Sequence, residues 1–503
     1  MHTLTIHSTL DSATLTSLIA AHFPAWQVCY LHNDGKAVIG ILPKRTWTLL
    51  PTNDTLTLHT SNRSAHLSAQ NLENPYDFGQ AHQSSYDDLR QTLQTYSDNF
   101  TTPSPSAASH YHHGLMGFIG YDVAANALNP AIAIKDDQPA AFFGHYDITL
   151  TPLDASANQG FMLTIHDLAN QSAANQSTNS QAKTQNLAKL IAHAINGVLK
   201  NPAPNTPNAK FHPAWQKQDY QAAFERTQQY LHAGDAYQVN LTQRWDAEIC
   251  ALHAYLPALS TTMKAPFAGF LCCPAPTDGV NLSANDLKNG AVFELLSVSP
   301  ELFFTFSWQD GAHHITTKPI KGTRPRHADA SLDDKLKNEL AASEKDISEN
   351  LMIVDLLRND LGKYAGIGAV RTPQKFAIES FENVHHMVST ITATISADHA
   401  PLDVLFGSLP AGSITGAPKK RACELIDELE ISARGAYCGT LGFLNFDGAG
   451  QWNVLIRTLQ ATHSKAQLWA GGGVTVRSDG DGEYQECFDK VGAIIDVFAK
   501  IGK

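Results

Sequence analysis

GTLGFLNFDGAGQWNVLIRTLQATHSKAQLWAGGGVTV, residues 439–476, is the stretch on which the class of fold turns. GTLGFLNF is followed by the turn signal DGAG at 447–450, and WNVLIRTLQATH and AQLWAGGGVTV follow as further apolar runs, so the stretch reads as an antiparallel meander. Outward from it, periodicity predicts helices at 217–232, ended by Gly234, at 343–361, at 418–430 and at 483–500. Helices alternate with hairpins rather than with single strands in repeated units. The predicted class is therefore α+β with antiparallel sheets.

The chain has 503 residues, which at about 150 residues per domain suggests two or three domains or one large composite body. A hydrophobic share of 43% supports a sizeable core and excludes wholesale disorder. Lys and Arg total 36 against 48 Asp and Glu, and the net charge of −12 argues against a nucleic-acid or anionic-membrane partner. An anionic small substrate would need a local positive pocket. The start, MHTLTIHSTL, has no basic-then-apolar pattern, and no apolar run nears the roughly 18 residues of a membrane span, so a cytoplasmic location is expected. Cys29, Cys250, Cys272, Cys273, Cys423, Cys438 and Cys487 are scattered without C-x-x-C spacing and read as reduced structural thiols.

Three stretches interrupt the pattern. TTPSPSAAS at 101–109 reads as an exposed connection. Residues 169–186 are rich in Asn, Gln, Ser and Ala and read as a disordered loop, followed by a helix signal from Leu187 to Lys200. NPAPNTPNAK at 201–210 reads as a linker, dividing an amino-terminal region, 1–205, from a second region, 210–503. No repeat of 20–50 residues is visible.

Several side chains could carry chemistry. Glu483, Glu486 and Lys490 fall within roughly 60° of one another on a helix. Asp346 and Glu349 form a second set on helix 343–361. Acids on two helices suit a hard cation such as Mg²⁺ that takes further ligands from an anionic substrate, though the same spacing also describes a solvated face with an ordinary Glu486–Lys490 pair. Gly471, Gly472 and Gly473 could present amides to a carboxylate or mark a bulge. Arg457 interrupts the apolar strand WNVLIRTLQ, so it needs either a structural acid or an anionic ligand. Lys321 in KPIKGTRPR is a nucleophile only if buried beside other cations. His385 and His386 are adjacent and point apart, which disfavours zinc. His110, His112 and His113 read as solvated. AGSITGAPKK at 411–420 is not a phosphate loop, because only three residues separate its glycines Gly412 and Gly416.

Taken in order, GDAYQVNLTQRW at 234–245, SVSPELFF at 297–304, TKPIKGTRPR at 317–326, SENLMIVDLLRNDLGKYAGIGAV at 348–370, ENVHHMVSTI at 382–391, GSITGAPKKRACELIDELE at 412–430, RGAYCGTLGF at 434–443 and EYQECFDK at 483–490 carry a resemblance. The chain resembles the chorismate-utilising enzymes, most closely the aminodeoxychorismate synthase component I branch. The match spans essentially all of 210–500; before it, GLMGFIGYDVA at 114–124 is the clearest segment. The resemblance implies a large antiparallel β-sandwich with helices packed outside. It also implies amination of chorismate to 4-amino-4-deoxychorismate, with ammonia from a separate glutamine amidotransferase subunit.

By the same resemblance, Glu349 and Glu486 would bind Mg²⁺, with Asp346 and Glu483 beside them. Arg457, Lys490 and the amides of Gly471, Gly472 and Gly473 would hold the substrate carboxylates, assisted by Tyr437 and Thr323. Glu301 would protonate the departing C4 hydroxyl, and His386 matches the family histidine near the ring. Two positions sort the reactions within the family. Where isochorismate and salicylate synthases carry a water-activating lysine, this chain has Gln238; where anthranilate synthases have P-I-A-G-T, it has P-I-K-G-T with Lys321. Anthranilate synthase component I is the alternative enzyme, and a chorismate- or tryptophan-binding regulator the non-enzymatic one. The chain departs from the family in VTVRSDGDG, with Arg477 and Gly480 where Asp and Pro are usual, in Leu302 after Glu301, and in the extended connection at 272–293.

Overall fold

The computed structural model describes residues 1–52, 55–65, 67–100, 110–153, 159–166, 177–200, 206–275, 292–381 and 384–501. Their strands form one sheet of twelve strands and one of thirteen. Every strand pair in the two sheets is antiparallel. One continuous hydrophobic core joins Leu115, Ile119 and Phe143 of the larger sheet to Leu241, Leu296 and Leu459 of the smaller. Helix Gly480–Lys500 lies on strand Lys465–Val474, helix Glu344–Gly362 on Val384–Thr394, and helix Ser177–Val198 on His2–His7. This is the α+β sandwich with outer helices.

The stretch 439–476 is not one meander. Thr440–Asn445 and Gly450–Asn453 pair in the larger sheet, whereas Thr458–Thr462 and Lys465–Val474 pair in the smaller. Residues 454–457 cross from one sheet to the other, with Val454 and Leu455 fully buried on the way. The run stays apolar because a crossover through the core is as dry as a central strand, and periodicity cannot separate the two. Arg457 therefore ends a crossover, with φ of 51°, and does not lie inside a strand.

Helix boundaries follow their caps. Gly234 closes Lys217–Ala233 in the left-handed region, with φ of 85°, and the Ser343 side chain accepts from the Asp346 N–H at the start of Glu344–Gly362. The last helix starts at Gly480, three residues before the predicted Glu483, because Asp479 accepts from the Gly482 N–H at 2.8 Å. A Cβ on Gly480 would stand 3.0 Å from the Phe224 ring. Its buried stripe is Glu483, Cys487, Val491, Ile494 and Phe498, so an acid occupies the first position of an otherwise apolar face. Helix Ser177–Val198 likewise begins ten residues ahead of Leu187, so 177–186 are helical where a disordered loop was expected. Residues 169–176, like 101–109 and most of the 272–293 connection, lie outside the described residues.

Residues on both sides of 201–210 contribute strands to each sheet. Asp122, from the GYD segment, accepts the backbone N–H groups of Lys135, Arg434 and Gly435 at 3.1, 3.0 and 2.7 Å, tying the early chain to the loop ahead of Thr440. His113 is half-buried rather than solvated. It stacks on His166 with ring centroids 4.7 Å apart and lies 2.9 Å from His145, because strand Gly114–Ile119 carries it among Phe100 and Phe446. No helix of the described residues is long and apolar enough to cross a membrane. Six cysteines are buried, Cys250 is exposed, and all are free thiols.

Candidate active site

Glu301 follows strand Val292–Ser299 where the crossover passes. The Val454 N–H donates to the Glu301 carbonyl at 3.1 Å and the Ser299 hydroxyl to the Val454 carbonyl at 2.6 Å. Glu301 is 5% exposed, and the Ser413 hydroxyl donates to Oε1 at 2.9 Å. Burial raises its pKa to about 7, against the opposing pull of that hydrogen bond and of the Lys321 and Lys490 ammonium groups. An acid so placed is half protonated near neutrality.

Lys321 lies in strand Ile320–Pro325, whose pairing with Val384–Thr394 shifts register between Ile320 and Thr323. Lys321 and Gly322 occupy that irregularity, and an extra residue in one strand re-aims its side chains. Gly322 has φ of 85°, and a Cβ there would meet Asp346 and Leu340 at 2.8 Å, so only glycine serves beside the lysine. Lys321 is half-buried, and its charge favours the ionised forms of Glu301, Glu349 and Glu486, so its electrostatic surroundings are acids rather than the other cations that the sequence alone called for.

The acids of the two helices face one another. Glu483 is buried and Glu349 half-buried, and burial raises the pKa of each. Ser478 donates to Glu483 at 2.7 Å, while Glu349 Oε1 is buried with no hydrogen-bond partner among the described residues. For Glu486, burial pushes upward but Lys490, 2.7 Å away, and the other lysines prevail and lower it. Gly472 lies beneath them; a Cβ there would meet Glu483 Oε2 at 2.5 Å and Glu486 Oε1 at 3.4 Å. Lys345 reaches both helices, 4.0 Å from Glu349 and 3.9 Å from Glu483. Asp346 is set apart: it pairs with Arg324 at 3.4 Å and packs on Gly322. Among the described residues no group of three or more His, Cys, Asp or Glu side chains is arranged to hold a metal ion.

The triple glycine is not a bulge. Gly471, Gly472 and Gly473 pair in continuous register with Thr242, Leu241 and Asn240, while pairing to Thr458–Thr462 stops at Leu468. One backbone edge is thus free of a neighbouring strand there, and Lys490 donates to the Gly471 carbonyl at 2.7 Å. His386 and Thr323 share a 2.8 Å hydrogen bond. Burial, then the nearby Arg457 charge, lower the His386 pKa to about 4, so the ring is neutral at pH 7. Its neighbour His385 turns to Ser380 and Asp333. The Arg457 guanidinium has no acid or hydrogen-bond partner among the described residues, and burial lowers its pKa. Tyr437 is buried and stacked on Trp469, with centroids 5.8 Å apart.

Sequence reasoning missed Ser413, Lys345 and the state of Gln238. Ser413 lies in the quoted glycine loop, but its reach to Glu301 is a tertiary fact. Lys345 carried one signal, its i,i+4 spacing to Glu349. Gln238 is fully buried, against Gly473, with neither amide atom partnered among the described residues.

A buried acid, a lysine, paired helical acids and an unpaired arginine within one antiparallel sandwich form an arrangement that could hold a small anionic substrate. The profile of the family described as chorismate binding enzyme matches residues 43–496, and the chain belongs to that family. Aminodeoxychorismate synthase component 1 of Salmonella typhimurium is 37% identical over 418 residues, 81% of this chain and 82% of that one. The protein of the same name from Klebsiella aerogenes is 38% identical over 78% of this chain and 79% of its own. Anthranilate synthase component I of Streptococcus pneumoniae superposes with a TM-score of 0.67 over 91% of both chains at 23% identity, a likeness of fold.

Proposed function

We propose that the chain is the chorismate-aminating component of aminodeoxychorismate synthase, acting for para-aminobenzoate and folate synthesis with ammonia from a glutaminase partner. One feature supports this reading: Lys321 sits at the register shift before Thr323, and its charge acts on Glu301 and on the helical acids Glu349 and Glu486 at once.

Arg457, Lys490, Thr323, Tyr437 and the Gly471, Gly472 and Gly473 amides hold the two substrate carboxylates, a planar guanidinium suiting one of them. The Lys321 nitrogen, entering as the free amine after its ammonium proton has passed to solvent, bonds to ring C2, the ring double bonds shift, and the C4–O bond breaks. Hydroxide is a poor leaving group, so Glu301 supplies a proton and the group departs as water, a contribution of about 10²–10⁴-fold. Ammonia then bonds to C4, the double bonds shift back, the C2–N bond breaks, and one ammonia proton restores Glu301. Chorismate and ammonia thus give aminodeoxychorismate and water. Neutral His386, bonded to Thr323, orients that hydroxyl.

By donor chemistry Glu349, with an unpartnered buried oxygen, Glu486 and Glu483 suit Mg²⁺ and would hold it once drawn together, which they are not in the chain without metal, and Asp346 lies behind Gly322. When bound, the ion neutralises substrate carboxylate charge. We read 1–205 as an amino-terminal region and 210–503 as the chorismate-binding region of one cytoplasmic enzyme.

The test is product analysis of the chain with chorismate, Mg²⁺ and ammonium. Aminodeoxychorismate is expected, and a covalent adduct on Lys321 under trapping, absent in Lys321→Ala. Direct release of fluorescent anthranilate would overturn the reading in favour of anthranilate synthase, and no turnover would favour a binding regulator.

A further inference from the structure

Lys345 is the second residue of helix Glu344–Gly362, where the positive end of the helix dipole disfavours a cation. A charge placed against this local preference points to a role in the site it faces. Its ammonium stands 4.0 Å from Glu349 Oε1 and 3.9 Å from Glu483 Oε1, too far to be hydrogen-bonded to either and on the approach to both. These oxygens come from different helices, and the Glu349 atom is buried without a hydrogen-bond partner among the described residues. Glu486 feels the same ammonium. The lysine side chain is 55% exposed, so its ammonium has open solvent to swing into.

Resting on the reading of these acids as a Mg²⁺ site, we propose that Lys345 is a built-in placeholder cation. In the metal-free chain its ammonium offsets the repulsion between Glu349 and Glu483 and keeps the two helices together, and the divalent ion displaces it on binding. Lys345 thus sets the Mg²⁺ concentration at which the site fills, rather than touching substrate. A like-charge competitor lowers cation affinity, so its removal strengthens Mg²⁺ binding while weakening the empty state.

Calorimetric titration of MgCl₂ into the full chain without chorismate, with thermal denaturation in chelator alongside, tests this in wild type, K345M and K345R. For K345M the Mg²⁺ Kd falls by about threefold, the scale of one partly exposed ion pair, and the melting temperature in chelator drops. K345R, which keeps the charge, behaves as wild type in both. An unchanged or weaker affinity in K345M, or an unchanged melting temperature in chelator, overturns the proposal. Wild type that takes up no Mg²⁺ at all sinks the metal site itself, and this inference with it, a result distinct from failure of K345M alone.

Discussion

The Ser413 hydroxyl donates a 2.9 Å hydrogen bond to Glu301 Oε1 inside the core, so the one side chain among the described residues bonded to this carboxyl favours its ionised form. Burial works the other way and wins, raising the acid to about 7. As a proton donor Glu301 is competent below that value, so kcat/KM falls as pH rises through about 7. Ser413→Ala removes the opposing bond and moves that limb upward. Glu301→Gln abolishes the limb and lowers kcat by about 10²–10⁴-fold. A pH–rate profile with an unshifted limb in both variants would refute the assignment.

The same shift has a stability consequence. Because the folded acid binds its proton more tightly than the unfolded one, with a reference value of 4.5, the stability it brings is complete below pH 4.5 and lost as pH rises to about 7. Glu301→Gln, which cannot ionise, therefore melts above wild type at pH 8 and level with it at pH 4. Differential scanning calorimetry at the two pH values reads the difference.

Much of this site could be read from the order of residues, and the unread part has a common cause. The helices bearing Glu349 and Glu486, the lysine of P-I-K-G-T and the glycine triplet all announce themselves locally, by periodicity or by a residue no neighbour explains. By sequence Arg457 reads as a strand residue, because the dry crossover 454–457 has the composition of a strand. Asp346 shares a helix turn with Glu349 but is claimed by Arg324, a residue 22 positions away. Ser413 meets Glu301 across 112 positions. Such relations belong to the packing of two sheets, and spacing within one segment does not contain them.

Metal dependence separates the helical acids. Glu349→Gln and Glu486→Gln each remove a charge from the pair of facing helices and raise the Mg²⁺ concentration for half-maximal activity by at least about tenfold. Asp346→Asn, with its partner Arg324, has a smaller effect. Activity titrated against Mg²⁺ checks the order; equal curves for all three would refute it.

Adjacent glycines give opposite outcomes for the same added methyl group. In Gly472→Ala the new Cβ meets the end of the Glu483 side chain at 2.5 Å, so the carboxylate moves, Mg²⁺ affinity drops and the fold persists. In Gly471→Ala it meets the Leu241 carbonyl at 2.1 Å and the Thr242 Cα at 2.6 Å, backbone that cannot yield without parting the strands. That variant loses about 1–3 kcal/mol or more of stability. Denaturant unfolding paired with Mg²⁺ titration separates the two, and equal stability loss in both would contradict the placement of Gly472 under the acids.

Arg434 bears on stability rather than chemistry. It is 1% exposed and bonds Glu430 at 2.6 and 2.8 Å, the Asn240 carbonyl at 2.6 Å and the Ile414 carbonyl at 3.2 Å, clamping the loop before Thr440 to the strand that lies under the glycine triplet. Arg434→Ala leaves Glu430 buried without its cation, which costs about 3–5 kcal/mol. Thr242 still donates to Glu430 at 2.7 Å through its hydroxyl and at 2.9 Å through its backbone, too little to carry a full charge. Arg434→Met with Glu430→Gln removes both charges together and recovers most of the loss, because the penalty lies in the unpaired ion and not in the missing contact. Urea unfolding of the single and double variants distinguishes this from simple loss of packing, under which the double variant would be the less stable.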